Sequence, residues 1–399
     1  MEVVVDVLEL TRALVEIDSQ NPGALEPEIA RFVHDWATRR GYATTVLEPV
    51  AGRPNVLVTL DLGGERHLGL SGHLDTKPIG DALAQWRTPP LELTVDGDDA
   101  YGLGVTDMKG GVAAMMVALD RLATGPATAT GRVTLLLSAD EEQGSDAGAK
   151  ALVEAGLLPP LDAVVIGEPS GITRAWEGIH LVSRGLCCFD VEITTTQGHS
   201  GLSPILGRNA TLVAADLLHA FEEFRPTVTT PGEVACAPTV NPGIFARSGV
   251  SWGVWPGWCS IGIEIRLVPG MDQRVLHAEV AALVEEVVGD RAHADIRYKD
   301  SAQGWIDAVE LSPGAAVARA ARVATAEVLG APAPFTAFPG ATDATSFLGT
   351  GGIPTIASLG PGWISSAHGA NERVGVGQLD EAVAIYDALA RHYLAGAEA

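Results

Sequence analysis

Lysine and cysteine are both scarce in this chain of 399 residues, whose formal net charge at pH 7 is −24. Arginine supplies most of the positive charge, and the lysines are Lys77, Lys109, Lys150 and Lys299. Nucleic acids and anionic membranes bind to basic surfaces. We therefore expect neither of them as a partner. The excess of acids indicates either a well-solvated surface or carboxylates gathered around cations.

The four cysteines form no C-x-x-C pair; they are Cys187, Cys188, Cys236 and Cys259. This spacing favours reduced structural thiols, with thiolate metal ligation as a minor alternative. No run of about 18 apolar residues is present, so no segment is typical of a membrane span. The first residues, MEVVVDVLELTRALVEID, include acids but no basic stretch, which indicates an amphipathic helix rather than a signal peptide. We expect a cytoplasmic protein.

The length and the order of the predicted elements indicate two domains. Strands alternate with helices in residues 1–177 and again in 300–399, which predicts an α/β fold with a mixed, largely parallel sheet. GRVTLLLSA at 131–139 is almost entirely apolar, as in a strand buried on both faces. Residues 178–299 instead contain two strand–helix units and an extra hairpin. We predict a discontinuous catalytic domain with an α+β domain inserted into it.

Acids and histidines follow several of the predicted strands or lie in loops between elements. These clusters are His73 with Asp75, then Asp107, then Asp140 with Glu141 and Glu142, then Glu168, and finally His368. Ligands of open α/β sheets bind beyond the carboxyl ends of the strands. The clusters could therefore converge on one site, although they span most of the chain.

The donor atoms in these clusters suit a pair of divalent metal ions. Histidine nitrogen and carboxylate oxygen are ligands for Zn, with Co or Mn as alternatives. Buried carboxylates without a cation would repel one another and lose their hydration. Two ions about 3.5 to 4 Å apart would offset both costs, with one carboxylate bridging them. His73 and Asp75 lie two residues apart in extended chain and so share a face, where the carboxylate can hold the imidazole N–H.

Each cluster also has a purely structural interpretation. A single histidine after a strand is more often structural than a ligand, which applies to His73 taken alone, and His368 in its glycine-rich loop is equally open. One acid of 140–142 could cap the following helix. Glu168 precedes a proline and could belong to a turn. Any one cluster could therefore belong to a solvated acidic surface without metal. Five clusters in this order indicate a metal site more specifically than each does alone.

The order of motifs resembles one enzyme family. SGHLDTKP, YGLGVTDMKGG, SADEEQGS, GEPS, GHSGLSP and AHGANE follow one another along nearly the whole chain. This series is similar to the acetylornithine deacetylase, succinyl-diaminopimelate desuccinylase and carboxypeptidase G family of co-catalytic zinc metallopeptidases. The resemblance implies an α/β, phosphorylase/hydrolase-like catalytic domain at 1–177 and 300–399. It also implies a ferredoxin-like lid at 178–299, through which a homodimer forms.

The resemblance implies a site with two Zn²⁺, for which Co²⁺ or Mn²⁺ are alternatives. His73 and Glu168 would bind one ion. Glu142 and His368 would bind the other. Asp107 would bridge the two ions together with a water or hydroxide.

The same resemblance implies two catalytic roles beside the ligands. Asp75 would orient His73, and Glu141 would be the general base that later protonates the leaving amine. Adjacent Glu141 and Glu142 project differently, so that one can face the metal while the other carries protons. The peptide bond between Asp107 and Met108 is a candidate for a cis bond.

Substrate contacts are expected from the lid and from one glycine-rich turn. His199 in GHSGLSP would reach the partner subunit's active site and stabilise the tetrahedral oxyanion, or else is a turn histidine. Asn241 and Arg266 are lid candidates for polar substrate contact, although Arg266 could equally be a solvated strand residue. Gly360 and Gly362 could place backbone N–H groups near a substrate carboxylate, or form a plain turn.

Two positions depart from the family pattern. Leu103 stands where many members have arginine between the glycines of YG-x-G, which leaves the support of the Asp107 loop uncertain. Thr345 in GATDATSF stands where an arginine often grips a substrate carboxylate. These departures affect the assignment of the substrate and the support of the Asp107 loop more than they affect the proposed catalysis.

The resemblance implies a metal-dependent hydrolase of an amide bond in a small N-acyl amino acid, similar to acetylornithine deacetylase. A dipeptidase or carboxypeptidase of the same family is one alternative. A catalytically silent, dimeric binding protein is another, against which stand the intact Glu141 and the complete set of proposed ligands.

Overall fold

The chain divides into two units in the computed structural model, which describes residues 6–125, 129–299 and 304–396. The larger unit combines Met1–Ser183 with Glu310–Ala399, and the smaller unit is Arg184–Val309. Both boundaries lie later in the chain than the predicted 177/178 and 299/300. The first is later because residues 179–183 form a strand of the larger unit. The second is later because Ile306 exchanges two backbone hydrogen bonds with Leu186 of the smaller unit.

The helices alternate with strands through most of the described chain. The helices are α1 (Val7–Val15), α2 (Pro27–Arg39), α3 (Gly110–Thr124), α4 (Ala149–Glu154), α5 (Ser203–Leu206), α6 (Ala210–Glu223), α7 (Gln273–Val288), α8 (Ala316–Leu329) and α9 (Val376–Ala395). The strands are β1 (Ala43–Leu47), β2 (Asn55–Asp61), β3 (His67–His73), β4 (Thr94–Asp96), β5 (Asp99–Tyr101), β6 (Arg132–Ser138), β7 (Ala163–Ile166), β8 (Pro169–Gly171), β9 (Ile179–Ser183), β10 (Gly185–Thr194), β11 (Gly198–His199), β12 (Thr239–Ser248), β13 (Val254–Trp255), β14 (Trp258–Leu267), β15 (His293–Tyr298), β16 (Val309–Glu310), β17 (Phe335–Ala337), β18 (Thr355–Ile356), β19 (Gly360–Trp363) and β20 (Arg373–Gly375).

The main sheet of the larger unit has the order β1-β2-β6-β3-β7-β18. Strands β6, β3, β7 and β18 are parallel, whereas β2 is antiparallel to both β1 and β6. Every residue of β3 is buried, and β6 is buried from its second residue onward, as the apolar sequence of β6 predicts. The predicted mixed, largely parallel α/β sheet is confirmed. Its parallel strands end at one edge, where polar segments follow β3, β6 and β7.

The smaller unit contains a four-stranded antiparallel sheet of order β12-β14-β10-β15. Apart from the short elements β11, α5 and β13, the order along the chain is β10-α6-β12-β14-α7-β15, which is the βαββαβ pattern of ferredoxin-like folds. Alternate residues of β10 and β14, such as Phe189 and Ile263, form a buried core with apolar residues of α6 and α7. Several of the intervening residues, including Glu192 and Arg266, carry polar side chains on the opposite face. The pattern of the sequence therefore specifies one apolar face of this sheet.

Within the part of the chain that the structure describes, no helix combines the length and apolar character needed to cross a membrane.

Candidate metal centre and active site

His73 is the last residue of β3, and its side chain is 1% exposed. Its Nδ1 lies 2.8 Å from the backbone oxygen of Asp75. Donation from Nδ1–H to this oxygen fixes the tautomer and leaves Nε2 as an acceptor or ligand atom. Nε2 lies 3.0 Å from Oδ1 of Asp107 and 3.3 Å from Oε1 of Glu168, which follows β7. The strand end therefore brings three predicted ligands together.

The carboxylate of Asp107 lies between two histidines. Its Oδ1 faces His73, and its Oδ2 lies 3.1 Å from Nε2 of His368. The same Nε2 lies 3.2 Å from Oε2 of Glu142. Asp107 lies at a kink with non-helical backbone angles, and its peptide bond to Met108 is cis, as the resemblance implied. The arrangement is two sets of one histidine and one glutamate that share a single aspartate.

The distances suit divalent cations. In a tetrahedral zinc site with bonds of about 2.0 to 2.1 Å, neighbouring ligand atoms lie roughly 3.3 Å apart, close to the observed separations of 3.0 to 3.3 Å. Burial, with the charge of Asp107, raises the pKa of Glu168 to about 7. Hydrogen bonds to Asp107 and Glu142 raise the pKa of His368 to about 10. Both pKa shifts indicate that positive charge would stabilise the buried carboxylates of this site. Metal ions would supply that charge.

Glu141 and Glu142 follow β6 in one 3₁₀ turn, but their side chains diverge. Glu142 is buried and faces His368. The carboxylate of Glu141, which is half-buried, lies within 4.8 Å of the ligand atoms of His73 and Glu168. Burial raises the pKa of Glu141 well above its ordinary value. One acid can therefore bind an ion while its neighbour exchanges protons beside it.

The carboxylate of Asp75 contacts this turn rather than the imidazole. Its Oδ1 lies 3.7 Å from Nδ1 of His73, too far for a hydrogen bond, and the backbone oxygen of Asp75 holds the ring instead. The carboxylate accepts hydrogen bonds from the backbone N–H groups of Glu141 and Glu142, both at 3.2 Å, and from Asn21 at 2.9 Å. The predicted role of Asp75 in orienting His73 stays a prediction; in the structure its backbone oxygen holds the ring, and its carboxylate accepts from the two N–H groups of the turn.

A network of buried polar side chains supports the turn, and the sequence did not predict it. Asn21 also donates to Asp140 at 2.9 Å, and Asp140 accepts from Arg53 at 3.0 Å. Arg53 in turn makes two hydrogen bonds, of 2.6 and 2.7 Å, to fully buried Glu26. Asp140 also accepts from the backbone N–H of Ala147 at 3.1 Å. Asp140 thus has a structural role, but the expected cap of the following helix by one acid of 140–142 is wrong, because within the described chain no side chain caps α4. No local pattern joins Glu26 to Arg53.

Glu372 supports the loop that carries Asp107. Its buried carboxylate accepts backbone hydrogen bonds from Gly104 at 2.8 Å, Thr106 at 2.9 Å and Asp107 at 3.0 Å. Burial, with the charge of Asp107, raises the pKa of Glu372 to about 8. This resolves the uncertainty over Leu103, which is buried and makes no ion pair. Glu372 ends the AHGANE motif, so the signal for it was present in the sequence.

The GATDATSF stretch carries an acid but no cation. Asp343 accepts hydrogen bonds from the hydroxyls of Ser138 at 3.0 Å and Ser145 at 2.5 Å. Thr345 donates its hydroxyl to the backbone oxygen of Thr342 at 3.2 Å. Thr345 therefore does not replace the positive charge of the arginine found in many relatives.

The glycines of GPG are explained by close packing. A Cβ on Gly360 would lie 2.0 Å from the backbone oxygen of Gly167, and one on Gly362 would lie 1.8 Å from Oγ1 of Thr106. The N–H of Gly362 donates to the side-chain oxygen of Gln378 at 2.8 Å. This donor is thus used within the protein, and a substrate contact of Gly362 stays a prediction. The role of Gly360 in substrate binding stays a prediction.

The remaining predicted residues, His199, Asn241 and Arg266, belong to the smaller unit. His199 is exposed at the end of β11, where its Nδ1 accepts from the N–H of Gly201 at 3.1 Å. Asn241 and Arg266 both bind Oε1 of Glu264, at 3.2 and 2.9 Å. Their roles toward a substrate stay predictions.

Comparison with known proteins agrees with the motifs. The model of "Peptidase family M20/M25/M40" matches residues 69–392. A "Probable succinyl-diaminopimelate desuccinylase" from Staphylococcus aureus (strain MRSA252) is 26% identical over 408 residues, which cover 92% of this chain and 92% of that protein. The "Succinyl-diaminopimelate desuccinylase" of Halorhodospira halophila (strain DSM 244 / SL1) is 27% identical over 410 residues, covering 98% and 99%.

A solved structure shares the fold. The M20 family metallo-carboxypeptidase Sso-CP2 from Sulfolobus solfataricus matches with a TM-score of 0.77 and 18% identity, over 98% of this chain and 99% of that chain. The family match covers most of the chain and includes the segments that carry His73, Asp107, Glu142 and Glu168. The predicted family is confirmed: this chain is a hydrolase that belongs to peptidase family M20/M25/M40.

Proposed function

We propose that this hydrolase uses divalent metal ions to cleave the amide bond of a small N-acyl amino acid. The observation that carries the proposal is the carboxylate of Asp107, which lies between His73 and His368 with the carboxylate of Glu141 beside the cluster. The desuccinylase names of the relatives support an acylated amino acid as substrate. A dipeptidase or carboxypeptidase activity is the second candidate, because a neighbour of the same fold is named a metallo-carboxypeptidase.

The proposed ligands follow the two sets around Asp107. His73 and Glu168 would hold one ion, Glu142 and His368 the other, and Asp107 would contact both. We propose two Zn²⁺, with Co²⁺ or Mn²⁺ as alternatives, because the donors are nitrogen and oxygen without thiolate. Bound there, such ions would polarise the scissile carbonyl and lower the pKa of water.

Glu141 would carry the proton through the reaction. As general base it would accept a proton from the attacking water while the new C–O bond forms. As general acid it would return that proton to the nitrogen as the C–N bond breaks, which releases a carboxylate and an amine. Asp75 would position Glu141 and Glu142 through their backbone N–H groups.

A substrate panel tests the proposal. With added Zn²⁺, we expect the wild-type protein to hydrolyse N-acetyl or N-succinyl amino acids at least about tenfold better, by kcat/KM, than dipeptides of the same amino acids. The measurement is the release of free amine, with chelator-treated protein as control. A preference for dipeptides would favour the peptidase candidate. No hydrolysis of any of these substrates by the metal-loaded protein would contradict the proposal.

We also propose a cytoplasmic homodimer in which His199 of one subunit serves the active site of its partner. Edge strand β12 and exposed apolar residues of the smaller unit support a subunit interface; Ile205 is 78% exposed, Val250 74% and Trp252 100%. His199 would stabilise the oxyanion of the tetrahedral intermediate.

Mixed dimers test both parts of this proposal. His199→Ala and Glu141→Gln proteins should each be nearly inactive alone. After subunit exchange, a mixed dimer would contain one site with both Glu141 and His199, so about a quarter of wild-type activity should return. Sedimentation would verify the dimer. If the mixture stays as inactive as its components although mixed dimers form, His199 does not act across subunits.

A further inference from the structure

A narrow cleft with a cavity volume of about 20 Å³ opens beside Asp107, Glu142 and His368 in the larger unit. Its other walls are Thr76, Lys77, Pro78, Ile79, Ala82, Trp86, Leu103, Gly369 and Glu372. It meets the proposed metal site on the side of Glu142 and His368.

The walls combine an apolar surface with one ammonium group. Ile79, Trp86 and Leu103 supply apolar contact area. Of the described residues that line the cleft, Lys77 is the single lysine or arginine. The other charged groups are Asp107, Glu142 and His368, which the proposed metal site uses, and Glu372, whose carboxylate holds the Asp107 loop. An anionic substrate group entering this cleft would therefore depend on Lys77 for attraction.

Lys77 is held in place but keeps a free donor. Its backbone N–H donates to Oε1 of Glu142 at 3.1 Å, which fixes the residue against the site. Its Nζ donates to the backbone oxygen of Glu142 and lies 3.2 Å from Oε2 of the same residue. An ammonium group has three donors, so one has no partner among the described residues, and the side chain is 32% exposed. The metal and proton roles proposed above leave this lysine without a function.

We propose that Lys77 binds a carboxylate of the substrate, while Trp86 and Leu103 pack against the chain that carries it. This inference rests on the proposed function and narrows its substrate class to acyl amino acids with a carboxylate in this cleft. Thr345 carries no positive charge with which to bind a substrate carboxylate. The proposal assigns that role to Lys77, in a different part of the chain.

The test measures binding rather than turnover, so it is independent of whether hydrolysis is found. Zinc-loaded Glu141→Gln protein is titrated calorimetrically with two matched pairs of ligands. N-succinyl-L-alanine against N-succinamoyl-L-alanine varies the charge of the acyl arm. N-acetyl-L-alanine against N-acetyl-L-alaninamide varies the charge of the amino-acid arm. In one pair or the other, the anionic member should bind about tenfold more tightly than its neutral partner.

Substitutions of Lys77 in the same protein decide the outcome. Lys77→Met should reduce that preference to about twofold or less, and Lys77→Arg should keep most of it. Lys150→Met is the matched control, because Lys150 lies on the surface and pairs with Asp146. A loss of affinity that is equal for both members of each pair would assign Lys77 to support of Glu142 and overturn the proposal. An unchanged preference in Lys77→Met would overturn it as well.

Discussion

Glu141→Gln should lower kcat by about 10³-fold, within the range that general acid–base catalysis contributes, while the protein keeps its metal. The amide of glutamine has nearly the shape of the carboxylate but cannot accept the proton of the attacking water. The backbone N–H of residue 141 would still donate to Asp75, so the turn that also positions Glu142 should persist. The measurement combines steady-state kinetics on an N-acyl amino acid with metal content by mass spectrometry.

The neighbouring acid provides the control for this result. Glu142→Gln removes a carboxylate that faces His368, so it should lose metal together with activity. The two substitutions are at adjacent positions of one turn. Even so, the first should impair proton transfer and the second should impair metal binding. Activity close to wild type in Glu141→Gln would remove Glu141 from the mechanism. Loss of metal in both variants would make Glu141 a ligand instead.

Residues that converge through the parallel sheet could be predicted from the sequence. His73 ends a buried strand, Glu142 and Glu168 each follow one, and β3, β6 and β7 are adjacent and parallel in the sheet. Because parallel strands end at one edge, apolar runs followed by acids or histidine were enough to group them. Asp107 and His368 lie in loops, and only the order of motifs placed them with the others.

Features that depend on long-range pairing could not be predicted. Fully buried Glu26 is held by Arg53, and the pair supports the turn through Asp140, but nothing in the spacing of these residues joins them. Gly362 illustrates a second limit, because its glycine is required by Thr106, more than 250 residues earlier in the chain. The sequence of a glycine-rich turn near a site therefore does not reveal whether its N–H groups face a ligand or a neighbouring side chain.

Asp107→Asn should remove both metal ions, whereas His368→Ala should remove chiefly one. Burial alone would raise the pKa of Asp107, but hydrogen bonds from His368 and His73 hold it well below its ordinary range. The carboxylate is thus ionised, and each of its oxygens serves one set of ligands. The neutral amide of asparagine keeps the size of the side chain but is a much poorer metal ligand. Activity should fall by at least about 10³-fold.

The stoichiometry of bound metal distinguishes a shared ligand from an ordinary one. His368 is 48% exposed and belongs to one set, so His368→Ala leaves His73, Glu168 and Asp107 to hold the other ion. Asp343→Asn is the matched control, because Asp343 is equally buried but is held by Ser138 and Ser145 instead of a histidine. That variant should keep both ions. If Asp107→Asn retains one tightly bound ion while His368→Ala retains none, Asp107 is not shared, and the two sets do not form one centre.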